Sequence, residues 1–439
     1  MKLSTLYRAC TPAGILLAAG LAFGQARKPA DKDLPPSAFK LVAVSVTGGE
    51  RYKSEDVLAA SGLEIGETVH EEDFKDAARR LGDSGAFREI SYSFQYAPEG
   101  TKLQFQVQDA QAFVPARFEN VVWFSDQELL DQIHQRVPLF RGQLPVNGGL
   151  ADLVSEALQA LLIEKSIQGS AEYVRAGPDN GPVEAFVFSV SGPRISVRNF
   201  DFHGADPGML PLLQAAAQRI DVREYSRSAL RTQGHKYLLP VYLARGYLKA
   251  SFGDPQARVV ESTADEATVD VSFAVDPGPQ YVLSGIELAG NKVFSTETLR
   301  GLIHVPLNQP ADVVQLARDL ESMENLYGTR GFMAAKITSE HQMDDARRTL
   351  LCKITVSEGD VFTMGELDIR GVDSETTARL RNMWTIRNGE PYDSSYPERF
   401  AEQAYKQVAL LKNSKADIHE SPNPSDKTVD VTLRFDIRP

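Results

Sequence analysis

An internal repeat of about 80 residues is the feature that most constrains the fold of this chain. The segments Thr268–Phe273 and Thr428–Leu433 read Thr-Val-Asp-Val-Ser-Phe and Thr-Val-Asp-Val-Thr-Leu, and they lie 160 positions apart. In both segments apolar residues alternate with polar ones, which predicts a β-strand with one buried face. Because this distance corresponds to two repeat lengths, the 439 residues are predicted to form several small units instead of two or three large domains.

Two more landmarks recur with the same period. Near the start of a unit, apolar residues stand four and two positions before a glycine, which predicts a strand that runs into a turn. These glycines are Gly48, Gly204, Gly290 and Gly371. Further along the unit, a helical stretch ends at a glycine followed by apolar residues, as helix C-caps commonly do. These second glycines are Gly85, Gly246 and Gly331.

The landmarks together predict an α+β fold. We expect a tandem array of five β-α-α-β-β units, each a three-stranded mixed sheet covered by two helices. The second unit lacks both glycine landmarks and is predicted to be degenerate, and Pro240 is expected to split the second helix of the third unit. The predicted boundaries are 39–110, 111–192, 193–278, 279–359 and 360–439.

Residues 1–26 are typical of a secretory signal peptide. Lys2 and Arg8 precede a short apolar run over 15–23, and small residues precede a candidate cleavage site after Ala26. The run is shorter than the roughly 20 residues that span a bilayer, which argues against a membrane anchor. Residues 27–38, rich in Lys, Asp and Pro, are predicted to be a linker.

The charge balance argues against nucleic acid as a partner. The chain has 47 basic and 59 acidic residues, a formal net charge of −12. Removal of 1–26 takes away two basic residues and no acidic ones, so the charge becomes −14. Proteins that bind nucleic acid usually present a basic surface, and this chain is acidic.

Cleavage would leave Cys352 as the remaining cysteine. It alternates with Leu350, Ile354 and Val356, which predicts a buried position on a strand. A reactive or intermolecular thiol is the alternative.

The repeat resembles the polypeptide-transport-associated (POTRA) domain. The resemblance rests on the opening strand that runs into glycine, on the second helix that ends in Arg330-Gly331-Phe332, and on the Val-Asp-Val type of closing strand. Five such units in a row resemble the periplasmic part of the bacterial outer-membrane protein assembly factor. In those relatives a C-terminal β-barrel follows the last unit, and here we expect none because the chain ends at Pro439.

The resemblance implies that polypeptides bind by strand addition at the edge formed by the second strand of each unit. The matching segments are 90–96, 171–174, 250–252, 335–340 and 416–420. The candidate partner-binding residues on them are Ile90, Tyr92, Phe94, Tyr173, Phe252, Ile337 and Ile418. Packing against the helices of their own unit explains the same alternating pattern, and this alternative stays open for each segment.

The sequence predicts no enzyme. It has no nucleophile elbow, no His-Glu-x-x-His motif and no phosphate-binding glycine loop, so no catalytic, cofactor or metal site is expected. The resemblance implies an exported protein of the periplasm, at the inner face of the outer membrane, with an indirect membrane association. The implied partners are unfolded or β-rich polypeptide clients and a separately encoded outer-membrane β-barrel protein. An exported structural or surface-associated repeat protein without clients is the alternative.

Overall fold

The computed structural model describes residues 35–222, 224–412 and 414–436. The predicted signal peptide and most of the predicted linker lie outside the described residues. The described part forms two compact bodies. One contains the residues up to Arg117 with Asp126–Leu161 and Ala171–Phe188, and the other contains Phe118–Ser125, Leu162–Ser170 and the residues from Ser189 onward.

The first body holds the elements of the first predicted unit and most of those of the second. A short 3-10 helix, Pro36–Phe39, precedes the first strand. The elements of the first unit are β1 (Leu41–Thr47), α1 (Ser54–Ser61), α2 (Glu71–Asp83), β2 (Phe87–Ala97) and β3 (Gly100–Asp109). Those of the second unit are β4 (Phe113–Phe118), α3 (Asp126–Arg136), β5 (Gln143–Pro145), α4 (Leu150–Glu164), β6 (Ser170–Ala176) and β7 (Ala185–Ser191).

The elements of the three remaining predicted units lie in the second body. The third unit contains β8 (Arg194–His203), α5 (Leu210–Ala217), α6 (Arg227–Tyr237), α7 (Leu239–Leu243), β9 (Ser251–Phe252), β10 (Gln256–Ser262) and β11 (Glu266–Asp276). The fourth contains β12 (Val282–Ala289), α8 (Thr296–Arg300), α9 (Val313–Gly328), β13 (Lys336–Asp344) and β14 (Thr349–Ser357). The fifth contains β15 (Thr363–Arg370), α10 (Ser374–Met383), α11 (Tyr396–Gln407), β16 (Lys415–Asn423) and β17 (Thr428–Asp436).

The sheets share one topology, in which the closing strand of the unit lies in the centre. The strand orders β1-β3-β2, β12-β14-β13 and β15-β17-β16 place it between the other two strands. It runs parallel to the opening strand and antiparallel to the second strand, so each sheet is mixed. The predicted closing strands are therefore the central strands, and their apolar residues form the cores: Leu103, Phe105, Val107, Val269, Val271, Phe273, Val429, Val431 and Leu433 are all buried.

Two sheets have four strands, so the prediction of three strands in every unit was wrong there. The second predicted unit forms the order β5-β4-β7-β6, in which β5 comes from the segment between its two helices. In the third, β10-β11-β8 is joined by the two-residue strand β9, which also pairs with β11. Pro240 splits the second helix there as predicted, because it lies in the first turn of α7 directly after α6 ends.

The opening glycines are required by the close approach of two strands. Gly48, Gly204, Gly290 and Gly371 all have positive φ, between +82° and +90°. An added Cβ would lie between 2.0 and 2.5 Å from a carbonyl oxygen of the closing strand, and these oxygens belong to Val107, Val275, Val356 and Phe435. A side chain at these positions would therefore suffer both backbone strain and a steric clash.

The glycine that ends the second helix serves as the contact point for the next predicted unit. In the second body, the backbone N–H of Tyr281 donates to the Gly246 carbonyl at 2.7 Å, and the N–H of Phe362 donates to the Gly331 carbonyl at 2.7 Å. Both glycines have positive φ, +79° and +85°. Each therefore ends a helix and accepts the first strand of the following unit.

A side-chain contact reinforces the contact between consecutive predicted units at Gly246. The Lys249 ammonium lies 2.8 Å from both carboxylate oxygens of Asp345, and the Tyr281 hydroxyl donates to the same carboxylate at 2.6 Å. Together these donors hold the pKa of Asp345 below its usual value, the Lys249 contact being the larger cause. The β13–β14 turn is thereby tied to the segment that links β11 to β12.

Candidate edge-strand interaction sites

The outer edge of the opening strand is covered by the segment between the two helices of the same unit. Leu41, Leu283 and Met364 each exchange two backbone hydrogen bonds with that segment, at 2.7 to 2.9 Å. In the second predicted unit the same cover is longer and appears as β5, in which Leu144 pairs with Val114 of β4. The opening-strand edges are therefore already occupied at these positions, which protects them from pairing with another chain.

The second-strand edges are free of such a cover among the described residues. β2, β6, β10, β13 and β16 each lie at the end of their strand order. The predicted segments 90–96, 171–174 and 416–420 fall within β2, β6 and β16, and the segment 335–340 begins one residue before β13. An edge strand presents a row of backbone N–H and C=O groups, so these five strands are the places where an extended chain can pair with the sheets.

The third edge was incompletely predicted. The candidate segment 250–252 coincides with β9, but only Ser251 and Phe252 belong to a strand. The edge is interrupted at 253–255 and continues as β10, a strand of seven residues of which six pair with β11. The sequence Gly253-Asp254-Pro255, which is typical of a turn, forms a break within one edge.

In three units a side chain of the second helix accepts a hydrogen bond from an outward backbone N–H near the start of the edge strand. The Ile337 N–H donates to Glu324 Oε1 of α9 at 2.9 Å. The equivalent Ala171 N–H donates to Gln159 of α4, and the Ala416 N–H donates to Tyr405 of α11. Because these N–H groups point away from the central strand, antiparallel alternation places the outward N–H groups of β13 at Ser339, His341 and Met343.

β13 is the edge with the most accessible outward row. Residues 338–343 are exposed, and the Met343 side chain is 45% exposed. β16, in contrast, carries Pro422 on its outward row, where proline offers no N–H to an added strand. An extended polypeptide could therefore pair with β13 from Ser339 onward without displacing the Glu324 contact.

The seven candidate partner-binding side chains face their own helices or central strands. Tyr92 and Phe94 contact the ring of Phe74 on α2, with centroids 6.4 and 4.8 Å away. The Tyr173 hydroxyl donates to Asp152 of α4 at 2.6 Å. Ile90, which pairs with Val107 of β3, is half-buried, and the other three pack in or against the cores of their units: Phe252, Ile337 and Ile418. These side chains shape and stabilise the edges, and a direct contact with a partner stays a prediction.

Metal sites and membrane-spanning helices were searched for among the described residues. Within 35–222, 224–412 and 414–436, no cluster of three or more His, Cys, Asp or Glu side chains is placed to hold a metal ion. None of the helices in the described part is long and apolar enough to cross a membrane.

Cys352 is buried, as the sequence predicted. It is 0% exposed, and burial raises the pKa of its thiol to about 11. Because the thiolate is the reactive form, we expect Cys352 in the folded chain to resist a disulfide reagent at pH 8 and to react at once in denaturant. Thiol titration of a Cys10→Ser variant measures this. Rapid labelling of the folded chain would contradict the buried position.

Comparison with known proteins matches one of these sheets to a family. Residues 281–359 match the POTRA family model, described as a surface antigen variable number repeat. The chain is 25% identical over 216 residues to a putative outer membrane protein assembly factor of Treponema pallidum, covering 49% of this chain and 25% of that relative. It is 24% identical over 226 residues to the outer membrane protein assembly factor BamA of Neisseria meningitidis, covering 48% of this chain and 28% of BamA.

A solved structure of BamA POTRA domains 3–5 from Haemophilus influenzae is also similar, at 21% identity and a TM-score of 0.43. That match covers 55% of this chain and 95% of the solved one. The matched segments of the two curated relatives span only about a quarter of their lengths.

Proposed function

We propose that this chain is an exported scaffold for polypeptides. It carries a POTRA domain at residues 281–359, and about half of its length is similar to outer-membrane protein assembly factors. It acts in the periplasm, in the assembly or secretion of outer-membrane proteins. Its units are those at 39–110, 111–192, 193–278, 279–359 and 360–439, and residues 1–26 direct its export.

The mode of binding that we propose is strand addition at the second-strand edges. The observation that carries it is an asymmetry of four of the five sheets, in which the opening-strand edge is covered and the second-strand edge is open. Main-chain hydrogen bonds along such an edge give an affinity that depends little on the sequence of the added chain. A scaffold for many different clients needs this property.

Repetition compensates for the weakness of each site. A single edge strand of seven to eleven residues offers few outward hydrogen bonds, and each contributes about 1 kcal/mol net. When one long client pairs with one edge, the other edges act at a high effective concentration. The array is thereby suited to hold an extended chain along several units.

A local fluorescence experiment tests strand addition at β13. A Cys10→Ser, Met343→Cys chain is labelled at position 343 with an environment-sensitive dye, while Cys352 stays protected by burial. Addition of a urea-unfolded outer-membrane porin, diluted from denaturant, is expected to shift the dye emission. His341→Pro should reduce the apparent affinity at this site about tenfold or more, because proline removes an outward N–H and obstructs the edge.

His341→Ala is the matched control, since it removes the same side chain and keeps the N–H. It should bind like the parent chain, and circular dichroism should show that both variants are folded. Equal binding by the proline and alanine variants would exclude strand addition at this edge. Absence of any dye response to the unfolded porin would count against polypeptide binding at β13.

A further inference from the structure

A cleft lies between helices of the first body, and Asp152 in its lining accepts a hydrogen bond from Tyr173 of the edge strand β6. Its volume is about 720 Å³, within the range of about 300–1,000 Å³ that is usual for ligand-binding clefts. The C-terminal end of α2, the segment that follows α3 and the outer face of α4 form its walls. Its apolar lining includes Val137, Leu150, Leu153, Ala157 and Ala160.

Helix α4 has apolar residues on two faces. Val154, Leu158 and Leu161 point into the core and are at most 2% exposed. On the other face, Leu153 lies in the cleft and is 45% exposed. A helix with apolar residues around most of its circumference is typical of one that is covered on both sides. Among the described residues only one side of α4 is covered by the core, so the cleft side is suited to a partner.

The backbone around the cleft favours a helical partner over an extended one. No strand contributes to the lining. The N–H groups of Gly149 and Leu150 at the start of α4 already donate to the carbonyls of Asp83 and Ser84. An extended chain over this floor would therefore leave its own N–H and C=O groups unpaired, which is costly. A helix satisfies its backbone internally and offers only side chains to the floor.

The rim of the cleft is acidic along α4 and mostly basic on the other side, where Asp83 lies beside two arginines. Asp152 and Glu156 lie one turn apart on α4, and Arg80 and Arg136 lie at the ends of α2 and α3. The Arg80 guanidinium is held by the Ser61 carbonyl at 3.1 Å, and that of Arg136 by the Gln132 carbonyl at 3.0 Å. An occupant with an acidic flank and a basic flank would complement this rim.

We propose that this cleft binds an amphipathic helix of a partner protein. The apolar stripe of that helix faces Leu153, Ala157 and Ala160, its acidic flank faces the two arginines, and its basic flank faces Asp152 and Glu156. The small alanine side chains leave room for larger apolar residues of the partner. This site uses side-chain packing and is independent of strand addition.

A designed peptide tests the proposal on the purified full chain. The probe is a fluorescein-labelled helical peptide with leucine at i, i+3, i+4 and i+7, glutamate on one flank and lysine on the other. Fluorescence anisotropy should show binding that Ala160→Trp, which fills the cleft, weakens about tenfold or more. Ile65→Trp is the control, because Ile65 is 54% exposed and does not line the cleft.

A charge reversal distinguishes specific recognition of the rim charges from non-specific apolar binding. Glu156→Lys should weaken binding of the first peptide, and a second peptide with glutamate in place of its lysine flank should restore binding. Lack of binding, equal binding by Ala160→Trp, or no restoration by the second peptide would overturn the proposal. Self-association of the chain in sedimentation velocity that Ala160→Trp abolishes would also overturn it, since the occupant would then be a second copy.

Discussion

Replacement of Gly331 by alanine is expected to destabilise the last unit by about 3 kcal/mol or more. Gly331 has a φ of +85°, which costs a non-glycine residue about 1–2 kcal/mol. In addition, a Cβ there would lie 2.6 Å from the Phe362 carbonyl oxygen, so the strand that follows would have to move. The hydrogen bond from the Phe362 N–H to the Gly331 carbonyl would be disturbed as well.

Gly389 provides a matched control within the last unit. Its φ is also +85°, but nothing lies within 4 Å of an added Cβ. Gly389→Ala should therefore cost only the backbone strain, about 1 kcal/mol. Denaturant unfolding in a Trp123→Phe background measures both variants, because Trp384 of the last unit is then the only tryptophan. Equal destabilisation by the two variants would contradict the role of Gly331 as the contact point for the last unit.

Replacement of Asp319 by alanine is expected to destabilise the fourth unit by about 3 kcal/mol. The Asp319 carboxylate is 1% exposed and accepts from the His304 backbone N–H at 2.8 Å and from the Gln315 amide at 2.9 Å. His304 Nδ1 also lies 2.9 Å from it. These contacts anchor the segment 301–311, which covers the opening strand β12, so their loss leaves donors unpaired and loosens that cover.

The reactivity of Cys352 measures this effect, because the thiol lies in the core of the same unit. When opening is fast relative to labelling, the labelling rate follows the opening equilibrium. A loss of about 3 kcal/mol should therefore raise the rate in Asp319→Ala roughly 100-fold. Glu321→Ala, at an exposed position on the same helix, should leave the rate unchanged. A similar labelling rate of Cys352 in the parent chain and in both variants would refute the anchoring role of Asp319.

The elements that the sequence predicted are those whose signal is local. The closing strands were found because Val269, Val271 and Phe273 alternate with polar residues, and alternation records which face is buried. The opening glycines were found because positive φ demands glycine wherever the strand turns. The helical stretch that ends before Gly331 likewise predicted α9.

Features that depend on contact with another segment of the chain could not be predicted from the sequence. Gly331 was interpreted as a helix stop, and its contact with Phe362 arises only once the next unit is in place. The covers over Leu41 and Leu283 are backbone hydrogen bonds, which leave little trace in residue type. β5 and β10 were missed because one has three residues and the other follows a sequence that is typical of a turn. The side chains that close the edges, such as Glu324, are distant in sequence from the N–H groups they bind.

Amide hydrogen exchange on the intact chain tests strand addition most directly. The outward N–H groups of Ser339, His341 and Met343 should exchange fast in the free chain, since they face away from the central strand β14. On addition of a urea-unfolded outer-membrane porin, exchange at these three amides should slow, while Thr338 and Glu340, already paired with β14, should change little. Unchanged exchange at all three amides under conditions where the porin is bound would contradict the account.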